Sequence, residues 1–458
     1  MTAKNHAKIK ETVTARDLSD DGDGIALRSN GKTVFVPGLL PGEEALISIV
    51  SDNKSYSVGK IEIINELSKD RTAAPCPFAD KCGGCTLQHL SYEGQLAIKR
   101  GKVVSCLERI GGFKGIAVDE CVPSENILHY RNKLSFPVKN TSEGLVSGCF
   151  KARTHDVIGV DDCLLHSKKM MDCENKLLRF LKEENVRAYD ETARKGCVRH
   201  IIVRESSDGS LLAGFVVADG SFPYDKARKK LCDAADSIVV NKNYSGTNVI
   251  LGNETVILTG NGKITETILG KHFTVSAETF LQVNKKQSEN LYRLAIEYAD
   301  IQNYETVADL YCGIGTLSLC AAPFAGRIYG VEIVEQSVKN AQENAFANGI
   351  RNAEFICADA GEGFKKILEK EKNIDCVFVD PPRKGLSAET VQTVIKASPS
   401  RVVYVSCDPG TLARDLSIFS QNGYRIEKVT PVDMFPMTMH VEVVTLITRA
   451  GVETTELM

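Results

Sequence analysis

Residues 305–319, ETVADLYCGIGTLSL, decide the fold of the second half of the chain. An apolar strand pattern ends near Asp309, Gly313 and Gly315 follow, and a helical pattern begins behind them. Downstream, further apolar runs alternate with helical patterns: RIYGVEI, AEFICADA, DCVFVDPP, RVVYVSCDP and VEVVTLITR. Strands that alternate with helices predict a parallel α/β sheet from about residue 266 to the end.

The glycine turn predicts a nucleotide-binding loop. Glu332 stands 19 residues after Gly313 at the end of the next strand, where a carboxylate can accept hydrogen bonds from ribose hydroxyls. Ser318 occupies the place of the third glycine of a dinucleotide fingerprint, which counts against NAD and favours a cofactor without a pyrophosphate, such as S-adenosylmethionine. Asp359, at the end of a third strand, is placed either to reach an adenine amino group or to form a turn.

Three further positions carry reactive groups. Asp380 ends the strand in CVFVDPPRKG, Cys407 ends the next in RVVYVSCDPG, and Glu442 lies among apolar residues in MHVEVVTLIT. Because open α/β sheets bind ligands at the carboxyl ends of their strands, we expect these side chains to share a pocket. The ordinary alternatives are a buried small thiol for Cys407 and a solvated or ion-paired carboxylate for Glu442.

Together these groups suit one chemistry. A thiolate that adds to carbon 6 of a uracil makes carbon 5 nucleophilic, so that carbon 5 can take an activated methyl group. A general base such as Glu442 must then remove the carbon 5 proton, and Asp380 would help hold a base that has left its stack.

At these residues the chain resembles a known family. DLYCGIG, FVDPPRKG, SCDPGTLARDL and MFPMTMHVE are similar to the motifs of the S-adenosylmethionine-dependent RNA uracil-5-methyltransferases, and FLQVN at 280–284 extends the likeness upstream. The resemblance implies Cys407 as nucleophile and Glu442 as general base. It places four residues at S-adenosylmethionine: Gln282, Tyr311, Glu332 and Asp380.

The first 65 or so residues predict a small closed or partly closed β-barrel. KTVFVP and VGKIEIINE alternate apolar and polar side chains, and DDGDG, SNGK and PGLLPGEE between the strand patterns are rich in turn formers. The stretch GIALRSNGKTVFVPGLLPGEEALISIV resembles the TRAM domain, an OB-like RNA-binding barrel. A β-module with a purely structural role is the alternative.

A cysteine cluster follows the barrel. In CPFADKCGGC, Cys76, Cys82 and Cys85 have a Cys-x5-Cys-x2-Cys spacing, with Cys163 in GVDDCLLH as a distant fourth ligand. Thiols at this spacing predict a metal site, and four thiolates suit zinc and iron–sulfur alike. The family resemblance implies a 4Fe-4S cluster, since ribosomal-RNA members with a TRAM barrel carry one on this pattern, in a structural or RNA-related role.

The region between barrel and α/β sheet predicts mixed structure, with a helical part near 93–120 that packs on the catalytic domain. HYRNKLSFPVK combines Tyr130, Arg131, Lys133 and Phe136, a mixture suited to phosphate contacts and base stacking, although a basic strand facing solvent explains it equally well. KRGK near 100 and KARKK near 230 offer further phosphate contacts.

Composition sets the remaining limits. The 458 residues are 43% hydrophobic and 25% charged, as in ordinary globular proteins, and no run approaches the roughly 20 apolar residues of a membrane span. The formal net charge of −3 counts against coating of nucleic acid by bulk charge, and a local basic groove stays open. MTAKNHAKIKETV is no secretory signal, and 15 cysteines, an odd number, favour reduced thiols. We therefore expect a cytoplasmic protein, and a monomer.

These observations predict an enzyme of three parts. We expect a TRAM-like RNA-binding barrel at 1–66, a central iron–sulfur and RNA-binding α+β domain at 67–265 and a Rossmann-like methyltransferase domain at 266–458. The expected reaction is methylation of carbon 5 of a single-stranded or loop uridine in 23S ribosomal RNA. The alternatives are a transfer-RNA T-loop uridine methyltransferase, against which the barrel and the cysteine cluster weigh, and a non-catalytic RNA-binding assembly factor.

Overall fold

The computed structural model describes residues 9–247 and 249–451. The chain divides into two compact units. The first runs up to Ile98 and includes Phe435–Met439; the second comprises Lys99–Met434 and the residues from His440 onward. The predicted three-part division at 66/67 and 265/266 is a finer division by role and stays a prediction.

A closed barrel forms the greater part of the first unit. Its strands are β1 (Lys10–Leu18), β2 (Asp23–Leu27), β3 (Thr33–Pro37), β4 (Glu44–Asp52) and β5 (Tyr56–Glu66), joined in the order β1-β2-β3-β5-β4. Alternate side chains such as Val13, Val34, Val36 and Ile47 fill the interior, as the period of two along each strand requires. The predicted barrel is therefore confirmed, and it is fully closed.

The helix α1 (Tyr92–Arg109) follows, within the stretch where the sequence predicts one. In the second unit a first sheet has seven strands in the order β12-β11-β10-β9-β6-β7-β8, antiparallel except for the parallel pair of β10 and β11. The elements are β6 (Lys133–Thr141), β7 (Gly144–Phe150), β8 (Val157–Gly159), α2 (Lys168–Glu183), β9 (Val198–Glu205), β10 (Leu211–Val217), α3 (Tyr224–Lys230), β11 (Ser237–Lys242) and β12 (Glu254–Thr259). Side chains of α2 and α3 share one apolar core with one face of this sheet.

A hairpin and a second sheet complete this unit. The elements are β13 (Ile264–Ile268), β14 (Lys271–Val275), α4 (Lys285–Ala299), β15 (Thr306–Leu310), α5 (Thr316–Ala321), β16 (Arg327–Glu332), α6 (Glu335–Ala347), β17 (Ala353–Cys357), α7 (Ala360–Lys370), β18 (Cys376–Val379), α8 (Ala388–Ala397), β19 (Arg401–Ser406), α9 (Pro409–Gln421), β20 (Tyr424–Val432) and β21 (Glu442–Arg449). The strand order is β17-β16-β15-β18-β19-β21-β20. From β15 the chain adds β16 and β17 on one side; β18 then returns to the other side of β15, where the remaining strands follow.

Five strands of the second sheet, β15 to β19, are parallel, as predicted. The last two differ from a wholly parallel prediction, because β21 pairs antiparallel with both β19 and β20. No crossover helix lies in the segment 433–441 between β20 and β21. Without such a helix the chain reverses directly, and an antiparallel pair results.

Within the described ranges, none of the helices combines the length and the apolar character needed to cross a membrane.

Candidate active site at the carboxyl ends of the strands

The second sheet brings four of the predicted site residues to one edge. Tyr311, Asp380 and Cys407 each follow directly on the last residue of a parallel strand, and Glu332 is itself the last residue of β16. Main-chain bonds fix this alignment: the Tyr311 N–H donates to the Val331 carbonyl at 2.9 Å. Because parallel strands end at the same edge, the four side chains lie where such sheets bind ligands.

The register of the neighbouring strands places Cys407 opposite Glu442. In the antiparallel pair of β19 and β21, Ser406 is the partner of Val443, so the next step of the ladder joins Cys407 to Glu442. Cys407 is partly buried and Glu442 is 3% exposed. The predicted nucleophile and the predicted base therefore meet at the carboxyl edge.

Local sequence explains why the chain turns directly after Cys407. Asp408 is the N-cap of α9, and its Oδ1 accepts the N–H groups of Gly410 and Thr411, each at 2.9 Å. Pro409, at the first helical position, has a fixed φ and gives up no needed donor. The motif SCDPG thus ends a strand, presents a thiol and begins a helix within five residues.

Burial and like charge shape the acid–base properties of the site. Burial, with a further contribution from Asp380, raises the pKa of Glu442 to about 8. Burial, with Glu442 and Asp380, raises the pKa of Cys407 to about 11. Burial, with Asp309, raises the pKa of Asp380 to about 7. Arg383 is the cation that opposes these effects at Cys407 and Glu442.

The glycine loop has the geometry of a ligand cradle. The Gly313 N–H donates to Glu332 Oε2 at 3.2 Å, and the Val334 N–H donates to Glu332 Oε1 at 2.8 Å. Gly313 has φ of 56° with open space where a Cβ would stand. Tyr311 also has a positive φ, of 75°, which is uncommon for a residue with a side chain and typical of functional sites.

Asp309 belongs to the site, although the sequence assigned it no role. It is buried in β15, accepts a hydrogen bond from Ser318 Oγ, and burial raises its pKa to about 6. Ser318 is the residue that stands where a dinucleotide fingerprint has glycine. The serine at this position is the sequence signal that points to Asp309, because its hydroxyl donates a hydrogen bond to the buried Asp309 carboxyl group.

Gln282 lies in the segment just before α4 and is buried. Its main-chain carbonyl accepts a hydrogen bond from Asn132 Nδ2 at 3.1 Å. Asn284 caps α4 and also donates to the Met434 carbonyl at 3.2 Å. Farther along α4, the Tyr292 hydroxyl accepts a bond from Thr316 at the start of α5, at 3.2 Å. The helix that follows Gln282 is therefore anchored beside the glycine loop.

Two residues of the predicted motifs take roles of their own. Asp359 is the N-cap of α7, and its Oδ1 accepts the Gly361 N–H at 3.1 Å, as expected for the turn-forming alternative; its role at adenine stays a prediction. Arg383, in FVDPPRKG, had no assigned role. Its carbonyl accepts a bond from Thr411 Oγ1 at 3.2 Å, which ties this loop to the start of α9 next to Cys407.

The prediction of base stacking by Phe136 is wrong. Phe136 is 4% exposed and lies in the core between the first sheet and its helices. Tyr130 is buried as well. On β6 alternate residues point to opposite faces, so Phe136 and Lys133 cannot share one surface. A sequence pattern alone does not tell which face of a two-sided strand is covered.

The cysteines predicted to bind metal do not form a metal site in the described part of the chain, where no group of three His, Cys, Asp or Glu side chains could hold an ion. In the first unit, Cys76, Cys82 and Cys85 are partly buried in one loop, where the Gly84 N–H donates to Cys82 Sγ at 3.3 Å. In the second unit, a hydrogen bond from the Cys149 thiol is the main cause of a lowered pKa of Cys163. The 4Fe-4S site is therefore not shown by this arrangement and stays a prediction.

The chemistry of the pocket suits S-adenosylmethionine. Asp309 and Glu442 are buried acids and Asp380 is a partly buried one, all three with raised pKa values, and a cation beside them would favour their ionised forms. The sulfonium of S-adenosylmethionine is such a cation. The anionic pyrophosphate of a dinucleotide is the opposite.

Comparisons with known proteins agree with this geometry. A family model described as tRNA (Uracil-5-)-methyltransferase matches residues 253–450, and a TRAM domain model matches residues 10–61. A protein of Listeria innocua described as an uncharacterized RNA methyltransferase is 41% identical over 95% of this chain and 97% of its own length. One of Clostridium acetobutylicum, described in the same words, is 40% identical over 94% of this chain and 95% of its own length.

A solved structure matches over nearly the whole chain. The tRNA (uracil-54, C5)-methyltransferase of Pyrococcus abyssi, in complex with S-adenosyl-L-homocysteine, is 28% identical, with a TM-score of 0.76 over 96% of this chain and 100% of that chain. Fold and site thus define a Rossmann-like methyltransferase that carries a TRAM barrel. The chain belongs to the family of S-adenosylmethionine-dependent RNA uracil-5-methyltransferases.

Proposed function

We propose that this protein methylates carbon 5 of a uridine in 23S ribosomal RNA through a covalent adduct with Cys407. The observation that carries the proposal is the pairing of Cys407 with Glu442 at the ends of adjacent strands, beside Asp380. A thiol and a buried carboxyl group in register are what addition to carbon 6 and proton removal from carbon 5 require.

The mechanism follows from the properties of these side chains. The Cys407 thiolate bonds to carbon 6 of the uracil, and the electron pair of the 5,6 double bond moves toward carbon 5. S-adenosylmethionine supplies the methyl group when bound. Glu442 takes the proton from carbon 5, the double bond re-forms, and the Cys407 sulfur leaves. A pKa of about 8 keeps most of Glu442 protonated near neutral pH, and the fraction that is ionised is a stronger base than an ordinary carboxylate with a pKa near 4.5.

The RNA substrate has two candidates. In the sequence analysis the barrel counts against a transfer-RNA substrate. The barrel does not in fact distinguish ribosomal from transfer RNA as substrate, since the Pyrococcus enzyme named for tRNA uracil-54 covers 96% of this chain. That likeness favours a transfer-RNA T-loop uridine as the second candidate. Methyl incorporation into 23S ribosomal RNA and into transfer RNA, both from cells lacking this protein, distinguishes them; labelled ribosomal RNA alone is the expected result.

Cys407→Ala tests the covalent step. We expect methyl incorporation to fall by at least about a thousandfold, because carbon 5 loses its activation, while S-adenosylmethionine binding measured by calorimetry is unchanged. Cys232→Ala, which alters an exposed thiol at the end of α3, is the matched control and should keep full activity. Near-normal turnover by Cys407→Ala would remove the covalent mechanism, and an inert wild type on both RNAs would favour a non-catalytic RNA-binding factor.

Glu442→Gln tests the removal of the carbon 5 proton. It blocks the step after methyl transfer, so we expect a protein–RNA adduct that survives denaturing electrophoresis. A variant without any adduct would count against Glu442 as the base.

The proposal of a 4Fe-4S cluster rests on the spacing of Cys76, Cys82 and Cys85 and on the family resemblance. The three thiols share one loop of ten residues. No step of the reaction above involves this cluster.

A further inference from the structure

A cavity of about 260 Å³ lies in the second unit, against the first sheet. Its floor is the sheet face opposite the one that packs on α2 and α3. Leu134 and Val203 point to the helix side, whereas Lys133, Ser135 and Arg204 line the cavity. None of these residues belongs to the methyl-transfer site, which lies at the edge of the other sheet.

Two cations face each other on this floor, of which Arg204 is buried and Lys133 is partly buried. Lys133 on β6 and Arg204 on β9 are direct partners across the antiparallel pair, and Leu212 on β10 is the next partner beyond Arg204. Like charges placed directly opposite each other on a sheet are destabilising. Neither cation forms a salt bridge with a carboxylate in the described ranges of the chain, so the fold itself does not neutralise them.

Several polar atoms at the cavity have no partner among residues 9–247 and 249–451. Arg204 is 5% exposed; its Nη2 donates to the carbonyls of Ala277, at 3.4 Å, and Thr279, but its Nε has no partner. The Ser135 hydroxyl is buried without a partner too. The Lys133 ammonium makes no hydrogen bond or ion pair in the same ranges. Buried donors of this kind are costly unless a ligand satisfies them.

The titration properties agree with this geometry. Burial, with a smaller contribution from Arg204, lowers the pKa of Lys133 to about 8. Burial lowers the pKa of Arg204 to about 10. Among the described residues no carboxylate raises the pKa of Lys133, whereas Glu278 offsets a part of the effect of burial on the pKa of Arg204.

The other walls of the cavity are apolar: Ile202, Leu212, Ile250, Leu251 and Ala277. A ligand that fits must therefore combine a compact anion with an apolar body. The volume is close to the lower end of the roughly 300–1,000 Å³ typical of small-molecule sites, which suits one nucleotide better than a larger ligand.

We propose that this cavity binds one nucleoside phosphate, a nucleotide of the RNA substrate other than the methylated uridine, with its phosphate at Lys133 and Arg204 and its base against the apolar walls. The inference rests on the proposed function in one respect, that RNA is the substrate. Arg204 binds the Thr279 carbonyl three residues before Gln282, so an occupied cavity would also steady the segment that leads to the cofactor residue.

Lys133→Met tests the phosphate contact while keeping the length of the side chain. We expect the dissociation constant for substrate RNA, measured by fluorescence anisotropy, to rise about 10-fold. The slope of log affinity against log salt should fall by about 0.7 to 0.9, as for the loss of one phosphate contact. Lys139→Met is the matched control, because Lys139 lies on the same strand but pairs with exposed Asp156 outside the cavity. S-adenosylmethionine affinity should be the same in both variants, and the melting temperature of Lys133→Met should be no lower than that of Lys139→Met, because the change at 133 removes a repulsion between like charges.

A second variant, Leu212→Phe, fills the cavity without removing charge and should weaken RNA binding similarly. Titration of the wild type with uridine monophosphate and with uridine separates the sources of the ligand. Binding of the monophosphate alone, lost in Lys133→Met while RNA affinity is unchanged, would overturn the RNA assignment and leave a free nucleotide as the ligand. RNA affinity unchanged in both variants, together with no nucleotide binding, would overturn the proposal. RNA binding that depends on Lys133 in a protein that methylates no RNA would contradict the proposed function and support the cavity.

Discussion

The acidic side chains and the thiol at the carboxyl edge of the second sheet have raised pKa values. Burial, and after it Asp380, raises the pKa of Glu442; burial, followed by Glu442 and Asp380, raises that of Cys407. A thiol whose pKa is about 11 is mostly protonated near neutrality, so Cys407 is mainly a neutral thiol in the isolated site. Arg383 works in the opposite direction. Any cation bound at the carboxyl edge adds to the effect of Arg383, and binding of a sulfonium therefore favours the thiolate.

The buried Glu442 has a measurable cost in stability. Its ordinary pKa near 4.5 is raised to about 8 in the folded protein, so between these values the folded state holds a proton that the unfolded state has released. The free energy of unfolding therefore falls as pH rises from about 5 to 8. Glu442→Gln removes this contribution. We expect its melting temperature to rise relative to wild type over that range, as measured by circular dichroism at several pH values.

Glu343→Gln is the matched control for this prediction, because Glu343 is an exposed residue on α6. Its melting temperature should follow that of the wild type at every pH. The same pH dependence in Glu442→Gln and wild type would contradict a raised pKa at position 442.

Sequence reasoning works well for side chains that belong to a contiguous motif. Asp380, Cys407 and Glu442 were predicted to share a pocket, because each lies at the end of a recognisable strand. The sequence does not predict roles for Asp309 and Arg383, since their effect on the pKa values of the site depends on which strands and loops become neighbours. Phe136 was placed on the wrong side, because an apolar residue on a strand covered on both faces gives no sign of its direction.

At the scale of elements, the turn after β15 needs a glycine both for its backbone conformation and for lack of space beside it. Gly315 has φ of 81°, and a Cβ there would stand 3.0 Å from the Phe355 ring and 3.3 Å from Ala341. Gly349, after α6, has φ of 66° with nothing within 4 Å. Both positions have a left-handed backbone, but only Gly315 has neighbouring side chains where a Cβ would stand.

This difference gives a matched pair of variants. Gly349→Ala should lose about 1 kcal/mol of stability from the left-handed backbone alone. Gly315→Ala should lose more, because Phe355 or the loop must shift, and we expect S-adenosylmethionine affinity by calorimetry to fall about 10-fold or more through displacement of the Gly313 N–H. Equal melting temperatures of the two variants, or unchanged cofactor affinity in Gly315→Ala, would contradict this.

The sequence predicts elements unevenly for a physical reason. Strands β15 to β19 are continuous apolar runs, because both faces of a parallel sheet are covered, and such runs are easy to see. Strand β20, YRIEKVTPV, has exposed and buried residues without a regular pattern, and it was not predicted. Its partner β21 was predicted as a strand, but its antiparallel direction depends on β20 and on the missing helix between them.

At the scale of the whole molecule, charge is not what selects RNA. The formal net charge is −3, so binding must come from local cations that the fold concentrates. The cavity at Lys133 and Arg204 is one such place, where two cations meet although the chain around them is balanced. Composition counts against binding by bulk charge, but it cannot locate such a pair, because the two residues are 71 positions apart in the sequence.

The cysteine loop raises a question of the whole molecule, since 15 cysteines compete for any metal offered to the chain. In the first unit the Gly84 N–H donates to Cys82 Sγ at 3.3 Å. Three thiolates held in one short loop would repel one another unless a metal neutralised them. We therefore expect the protein purified without oxygen to hold about four iron and four sulfide per chain, with broad visible absorption. Cys82→Ser should lose this iron, whereas Cys232→Ser, at an exposed thiol far along the chain, should retain it. A colourless wild type that contains zinc, or iron retained by Cys82→Ser, would show that the spacing of these cysteines serves another purpose.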